Sequence, residues 1–193
     1  MIKYPNGLPQ TKPEKVAIKV KSTSSANRGM GLESRINLSN DFYVEHNVAV
    51  ITKRPTPINI VKVDYTHGAR ITDAFFEKQS TTDYNGVYRG RYLDFEAKSS
   101  KLKTSFPLNN IYKHQIDHLL RVMHHGGIAF FIIEFTAKNE VYLLDASFII
   151  DCYQKQERKS IPYVDIQKNG HRIIEAFLPP LDYLKVVDTV YFR

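Results

Sequence analysis

The sequence predicts a mixed α/β domain built on one central β-sheet flanked by helices. Three observations carry this. Apolar runs of strand length, continuous or alternating, recur at residues 48–51, 58–63, 92–98, 128–133 and 141–144. Ile116, Leu119, Leu120 and Met123 recur instead at helical spacing. The resulting order is helix, strands, helix, strand, strand, helix, with no internal repeat.

Taken in order, residues 1 to about 26 hold Pro5, Pro9 and Pro13, with five lysines against the lone acid Glu14, and end in Ser22-Thr23-Ser24-Ser25. This composition reads as a flexible basic arm, able to follow phosphates by charge alone. A helix is expected from near Asn27 to beyond Val44, with Met30, Ile36, Phe42 and Tyr43 among its apolar positions. Residues 48–51 read as a buried strand. Lys53-Arg54-Pro55-Thr56-Pro57 breaks regular structure. A strand follows at 58–64, then a turn at His67-Gly68 and a short helix through Ala74-Phe75-Phe76. Residues 53 to about 80 interrupt the path to the next strand and read as an insertion projecting from the core. The pair Asn85-Gly86 is a turn signal leading into the strand at 92–98. Next comes a basic, hydroxyl-rich loop, with Asn109 or Asn110 as candidate cap of the helix that Gly126-Gly127 closes. Two paired strands follow at 128–133 and 141–144, then a helix over 146–153 and a final amphipathic segment at 181–187.

A chain of 193 residues suits one domain with a sizeable core. Lys and Arg total 27 against 20 Asp and Glu, a net charge of +7, which favours an acidic partner such as nucleic acid. The single cysteine, Cys152, excludes an intrachain disulfide and a thiolate zinc site. No stretch approaches the roughly 20 apolar residues of a membrane span, and the start lacks a signal-peptide core, so a cytoplasmic protein is expected.

The chemistry concentrates in Thr81-Thr82-Asp83-Tyr84-Asn85-Gly86 and Tyr92-Leu93-Asp94-Phe95-Glu96-Ala97-Lys98. An Asp shortly upstream of Glu-x-Lys on a strand is the layout of a metal-dependent phosphodiesterase. Side chains alternate faces along a strand, so Tyr92, Asp94, Glu96 and Lys98 share one face while Leu93, Phe95 and Ala97 share the other. Two carboxylates hold Mg²⁺ through hard oxygen ligands, and a nearby ammonium stabilises developing charge. The spacing alone is weak: Glu157-Arg158-Lys159 repeats it, in a polar run without alternation that reads as a solvated loop. His114 and His118 have the spacing of a zinc-protease pair, but Gln115 stands where the general base belongs. Arg28-Gly29-Met30-Gly31 lacks the Gly-Lys-Ser/Thr of a P-loop. Glu33, on a first helical turn, suits the helix dipole.

Longer motifs then accumulate in order: Asn27-Arg28-Gly29-Met30, Lys53-Arg54-Pro55-Thr56-Pro57-Ile58, Gln79 through Gly86, Asp94 through Lys98, Lys103-Thr104-Ser105-Phe106-Pro107-Leu108, His114-Gln115 and Asp182-Tyr183-Leu184. Together they closely resemble the RecU family of Holliday junction resolvases, from about residue 27 to the C-terminus. Upstream, only Tyr4-Pro5-Asn6-Gly7 matches. The resemblance implies a restriction-endonuclease-like core with a protruding stalk, a homodimer, and Mg²⁺- or Mn²⁺-dependent paired nicking of four-way DNA junctions in recombination and repair. Residue by residue it implies Thr81, Asp83, Glu96 and Gln115 at the metal and Lys98 in the transition-state role. Related resolvases also use a first-helix Glu, a catalytic role Glu33 would fill. The stalk corresponds to the insertion at about 53 to 80 within a nuclease domain over 27–193. Lys53, Arg54, Lys62, Arg70 and Lys78 would give it a DNA-binding charge, joined by Arg28, Lys101 and Lys103. Family members also engage the recombinase and the branch-migration helicase. Two other readings stay open: a nuclease of this core acting on other DNA structures, and a non-catalytic junction-binding protein that modulates recombinase.

Overall fold

A computed structural model describes residues 30–77, 81–155 and 157–192. The arm at 1–26, Arg28 and Lys78 lie outside these residues. Helix α1 spans Leu32–Glu45 and strand β1 spans Val50–Lys53. Strands β2 (Ile58–Asp64) and β3 (Arg70–Phe76) form an antiparallel hairpin that, among the described residues, pairs with no other strand. Strands β4 (Tyr84–Tyr88) and β5 (Arg91–Ser100) follow, then the short β6 (Ser105–Pro107) and α2 (Lys113–His124). The chain continues through β7 (Ile128–Phe135), β8 (Glu140–Asp145), α3 (Ala146–Lys155), β9 (Ser160–Pro162), α4 (Tyr163–Asn169), β10 (His171–Ile173) and α5 (Tyr183–Tyr191).

Six strands make the central sheet, in the order β1-β4-β5-β7-β8-β10. Among the described residues only β5 and β7 run parallel in it, with α2 in the connection between them. The sheet is buried on both faces, which explains the unbroken apolar run of β7. Its alternate residues Ile128, Phe130 and Ile132 enter a core with Ile36 and Tyr43 of α1 and Tyr183, Leu184 and Val187 of α5. Phe131, Ile133 and Phe135 enter the opposite core with Ile116 and Leu119 of α2, Ile149 and Ile150 of α3 and Ile166 of α4. Among the described residues no helix is long and apolar enough to cross a membrane.

Several sequence expectations need correction. Helix α1 starts at Leu32, not near Asn27: Met30 and Gly31 are non-helical, and Gly31 is the extended N-cap. Ala74-Phe75-Phe76 ends strand β3 and is not a helix. Its aromatics are exposed, so no apolar stripe against a core selects helix there. Asn85-Gly86 lies inside β4, and the β4–β5 turn is Arg89-Gly90, both with positive φ. Tyr112 caps α2, while Asn109 and Asn110 end a 3₁₀ turn. Between 156 and 178 the sequence showed no elements, yet β9, α4 and β10 are there; each is seven residues or fewer, too short for a clear period.

Candidate active site

Strand β5 supplies the floor of the site. Leu93, Phe95 and Ala97 enter the core under α1 and α5, which turns Asp94 and Glu96 toward α2. Both carboxylates are fully buried. Asp83 approaches from the bend before β4, on the neighbouring strand, where β4–β5 pairing fixes its register: Tyr84 is opposite Phe95. Its backbone N–H donates to Glu96 Oε2 at 3.0 Å, and Asp83 Oδ2 accepts from the Ala97 N–H at 3.4 Å. Lys98 lies one pleat beyond Glu96, and its Nζ is 2.6 Å from Glu96 Oε1. Thus Asp83, Glu96 and Lys98, which the sequence brought together by spacing alone, converge in space.

Gln115 sits on the first turn of α2 and is buried. Its Nε2 donates to Glu96 Oε1 at 2.6 Å, while its Oε1 accepts from the Tyr112 N–H at 3.0 Å. As oriented, the amide nitrogen faces Glu96. Thr81 is half-buried, two residues before Asp83. Glu33, on the first turn of α1, is ion-paired with Lys53. Burial raises the Tyr84 hydroxyl pKa, and the negative charges of Glu33, Asp83 and Glu96 raise it further.

Burial also pushes the Glu96 carboxyl up to about 7. Lys98 opposes this and Asp83 reinforces it. Glu96 is thus a fully buried carboxylate beside a second one, Asp83, and its carboxyl stays raised despite the ion pair with Lys98. Two adjacent carboxylates, as hard oxygen donors, fit a hard divalent cation. Among the described residues no three His, Cys, Asp or Glu side chains converge, so neutral oxygens and water would complete such a shell.

The candidate DNA-facing residues divide. Lys62 and Arg70 are exposed on the hairpin, and Lys101 and Lys103 on the loop after β5. Lys53 is tied to Glu33. Arg54 turns inward: its guanidinium donates to Asp94 Oδ2 at 2.6 Å, to the Tyr92 hydroxyl at 2.9 Å and to Thr82 Oγ1 at 2.8 Å. Asp94 also accepts from the hydroxyls of Thr82 and Tyr92 and from His118 Nε2. Sequence reasoning placed Asp94 on the Glu96 face but gave it no role. Alternation could only put it on that face; its partners Thr82, Arg54 and His118 are brought to it by tertiary packing.

The family model described as RecU, Recombination protein U, matches residues 27–189. A protein of Geobacillus sp. (strain WCH70) named Holliday junction resolvase RecU is 50% identical over 198 residues, covering 100% of this chain and 98% of its own length. Proteins of the same name from Geobacillus kaustophilus (strain HTA426) and Bacillus cereus (strain G9842) are 50% and 49% identical, each covering 99% of this chain and 98% of the relative. Among solved structures, the Holliday junction resolvase Hjc of Archaeoglobus fulgidus overlays with TM-score 0.40 and 12% identity, over 71% of this chain and 94% of that one.

Proposed function

The chain belongs to the RecU family of Holliday junction resolvases, and from that premise we propose that Asp83, Glu96 and Lys98 form the centre at which it nicks four-way DNA junctions. The convergence of two carboxylates and an ammonium around Glu96 carries the reading. Asp83 and Glu96 would hold a divalent cation with Thr81 beside them, and Gln115 would join through its amide oxygen on turning that oxygen from the Tyr112 N–H. A cation there supplies Lewis acidity toward a phosphoryl oxygen and lowers the pKa of a water.

The chain's own groups do the rest. Lys98, fixed by its ion pair with Glu96, faces the anionic phosphorane-like transition state and offsets its charge. The Asp83 N–H and Gln115 Nε2 orient the Glu96 carboxylate, so little reorganisation is needed as charge develops. Water oxygen bonds to phosphorus while the bond to the 3′-oxygen breaks. The ends are then 5′-phosphate and 3′-hydroxyl, the leaving oxygen gaining the proton.

A junction is close to two-fold symmetric and is cut on two opposed strands. An isologous homodimer would present two centres with matching symmetry. The exposed hairpin β2–β3, with Lys62 and Arg70, would serve as the stalk that enters the junction centre, and the basic arm would follow backbone phosphates. Recombinase and branch-migration helicase are the expected protein partners; a pull-down with purified recombinase that recovers nothing would remove that part.

The test is cleavage of a labelled mobile junction with Mg²⁺, beside wild type without metal and Asp83→Ala with metal. Symmetric nicks lost in both controls, with junction binding kept in the variant, are expected. Equal cutting of linear duplex would leave a nuclease of different substrate. Tight binding without cutting in Mg²⁺ or Mn²⁺ would leave a non-catalytic junction binder.

A further inference from the structure

Asp94 is a fully buried carboxylate that the proposed chemistry does not use. Burying a charge is costly unless donors replace its water. Here they do so from three segments besides β5 itself. Thr82, before β4, donates its hydroxyl to Oδ1. Arg54, just after β1, donates Nη2 to Oδ2 at 2.6 Å, and His118 of α2 donates Nε2 to the same oxygen at 2.9 Å. The Tyr92 hydroxyl donates at 2.9 Å. Arg54 closes the ring by also donating to Thr82 and Tyr92.

Each outside donor is one short step from the site built on Glu96. Thr82 immediately precedes Asp83. The Arg54 backbone N–H donates to the Asp83 carbonyl at 2.7 Å. His118 lies one helical turn after Gln115, which itself donates to Glu96. The segments that meet at Asp94 are therefore those that deliver Asp83 and Gln115 to Glu96. Two residues upstream on the same strand face, one carboxylate fastens what the other needs in register.

We propose that Asp94 is a positioning residue of the nuclease centre, an anionic clamp that draws Arg54, Thr82 and His118 onto β5 and so holds Asp83 and Gln115 against Glu96. This rests on the nuclease reading above. It also gives Arg54, at the root of the β2–β3 hairpin, a role inside the protein and not on DNA. Metal and phosphate centres tolerate little misplacement: about 1 Å costs on the order of a hundredfold in rate. Asp94→Asn is the sharpest probe, because it keeps the shape but turns an amide donor toward donors.

The experiment uses the full chain and three readouts on wild type, Asp94→Asn and Thr82→Val. These are Mn²⁺ affinity of the DNA-free protein by electron paramagnetic resonance, junction affinity in Ca²⁺, and single-turnover cleavage in Mg²⁺. For Asp94→Asn the expected result is Mn²⁺ bound at least fivefold more weakly and cleavage slowed at least tenfold, with junction affinity within twofold. Thr82→Val, lacking one donor, should move the same two readouts by a smaller factor. If Asp94→Asn does not fold, Thr82→Val decides, by whether Mn²⁺ affinity and rate both fall at least twofold while junction affinity stays within twofold. Wild-type Mn²⁺ affinity and cleavage in the deciding variant would overturn the proposal. So would a loss of junction affinity as large as the loss of rate, which would assign the network to the DNA surface. A wild type that binds Mn²⁺ but never cuts would overturn the nuclease reading instead, and the Mn²⁺ comparison would still decide the clamp.

Discussion

At the residue scale, Glu96 joins sequence, burial and chemistry most directly. Alternation along β5 places it opposite the apolar face, and α2 then covers it. Its carboxyl sits at about 7 against an ordinary value of 4.5, because burial penalises the anion. The sign follows from linkage. Between the two values the native state binds more protons than the unfolded one, so stability is full below about pH 4.5 and is lost as pH rises through about 7. That gap corresponds to roughly 3 kcal/mol. Urea unfolding of the metal-free protein from pH 4.5 to 8 should therefore show wild type losing stability more steeply than Glu96→Gln, and Mg²⁺ at pH 8 should restore much of the loss. Parallel pH profiles would contradict the burial that raises this carboxyl. Asp83, Glu96 and Lys98 were legible in the sequence because one period-two rule and one short spacing relate them. Thr81 and Gln115 came only through family resemblance. The Asp94 clamp stayed hidden because its donors lie 12, 24 and 40 residues away along the chain, and no local pattern encodes those meetings.

At the element scale, local signals were sound where packing agreed with them and failed where it overrode them. The runs at 128–133 and 141–144 became β7 and β8 because both sheet faces are covered. Asn85-Gly86 carried a turn signal, but Arg89-Gly90 took the turn and left Gly86 in mid-strand. Its reason is close approach: a Cβ on Gly86 would stand 2.1 Å from the Val50 carbonyl oxygen and 2.6 Å from the Ile51 Cα. Both atoms are backbone of β1 and cannot swing aside. Gly86→Ala should therefore lower the unfolding free energy by about 2–3 kcal/mol, as overpacking does, measured by chemical denaturation. It should also reduce cleavage in the folded fraction, since prying β1 from β4 strains the hydrogen bond from Arg54 to the Asp83 carbonyl. A neutral substitution would mean the strands part more readily than this geometry allows.

At the scale of the whole molecule, two kinds of structure share one chain. The six-stranded sheet and its helices enclose two cores, whereas β2 and β3, among the described residues, pair only with each other and expose nearly every side chain, Phe76 at 78%. A hairpin of this kind contributes little to the stability of the body, since an isolated two-stranded ribbon is marginal in water. Alternation at 58–64 made β2 legible in the sequence, whereas the fully exposed run of β3, which meets no core cluster of the described residues, carried no period to mark it as a strand. Replacing residues 58–76 with a short Gly/Ser linker should leave the melting temperature within about 4 °C, the scale of a 1 kcal/mol change for a chain of this size. The same replacement should weaken four-way junction binding at least tenfold while affecting linear duplex binding much less, because it removes Lys62 and Arg70 and the shape that reads the branch. Calorimetry and paired binding titrations check both halves. Collapse of the fold would show that the hairpin is structural, and an unchanged preference for the junction would move branch recognition to the loop carrying Lys101 and Lys103 or to the N-terminal arm.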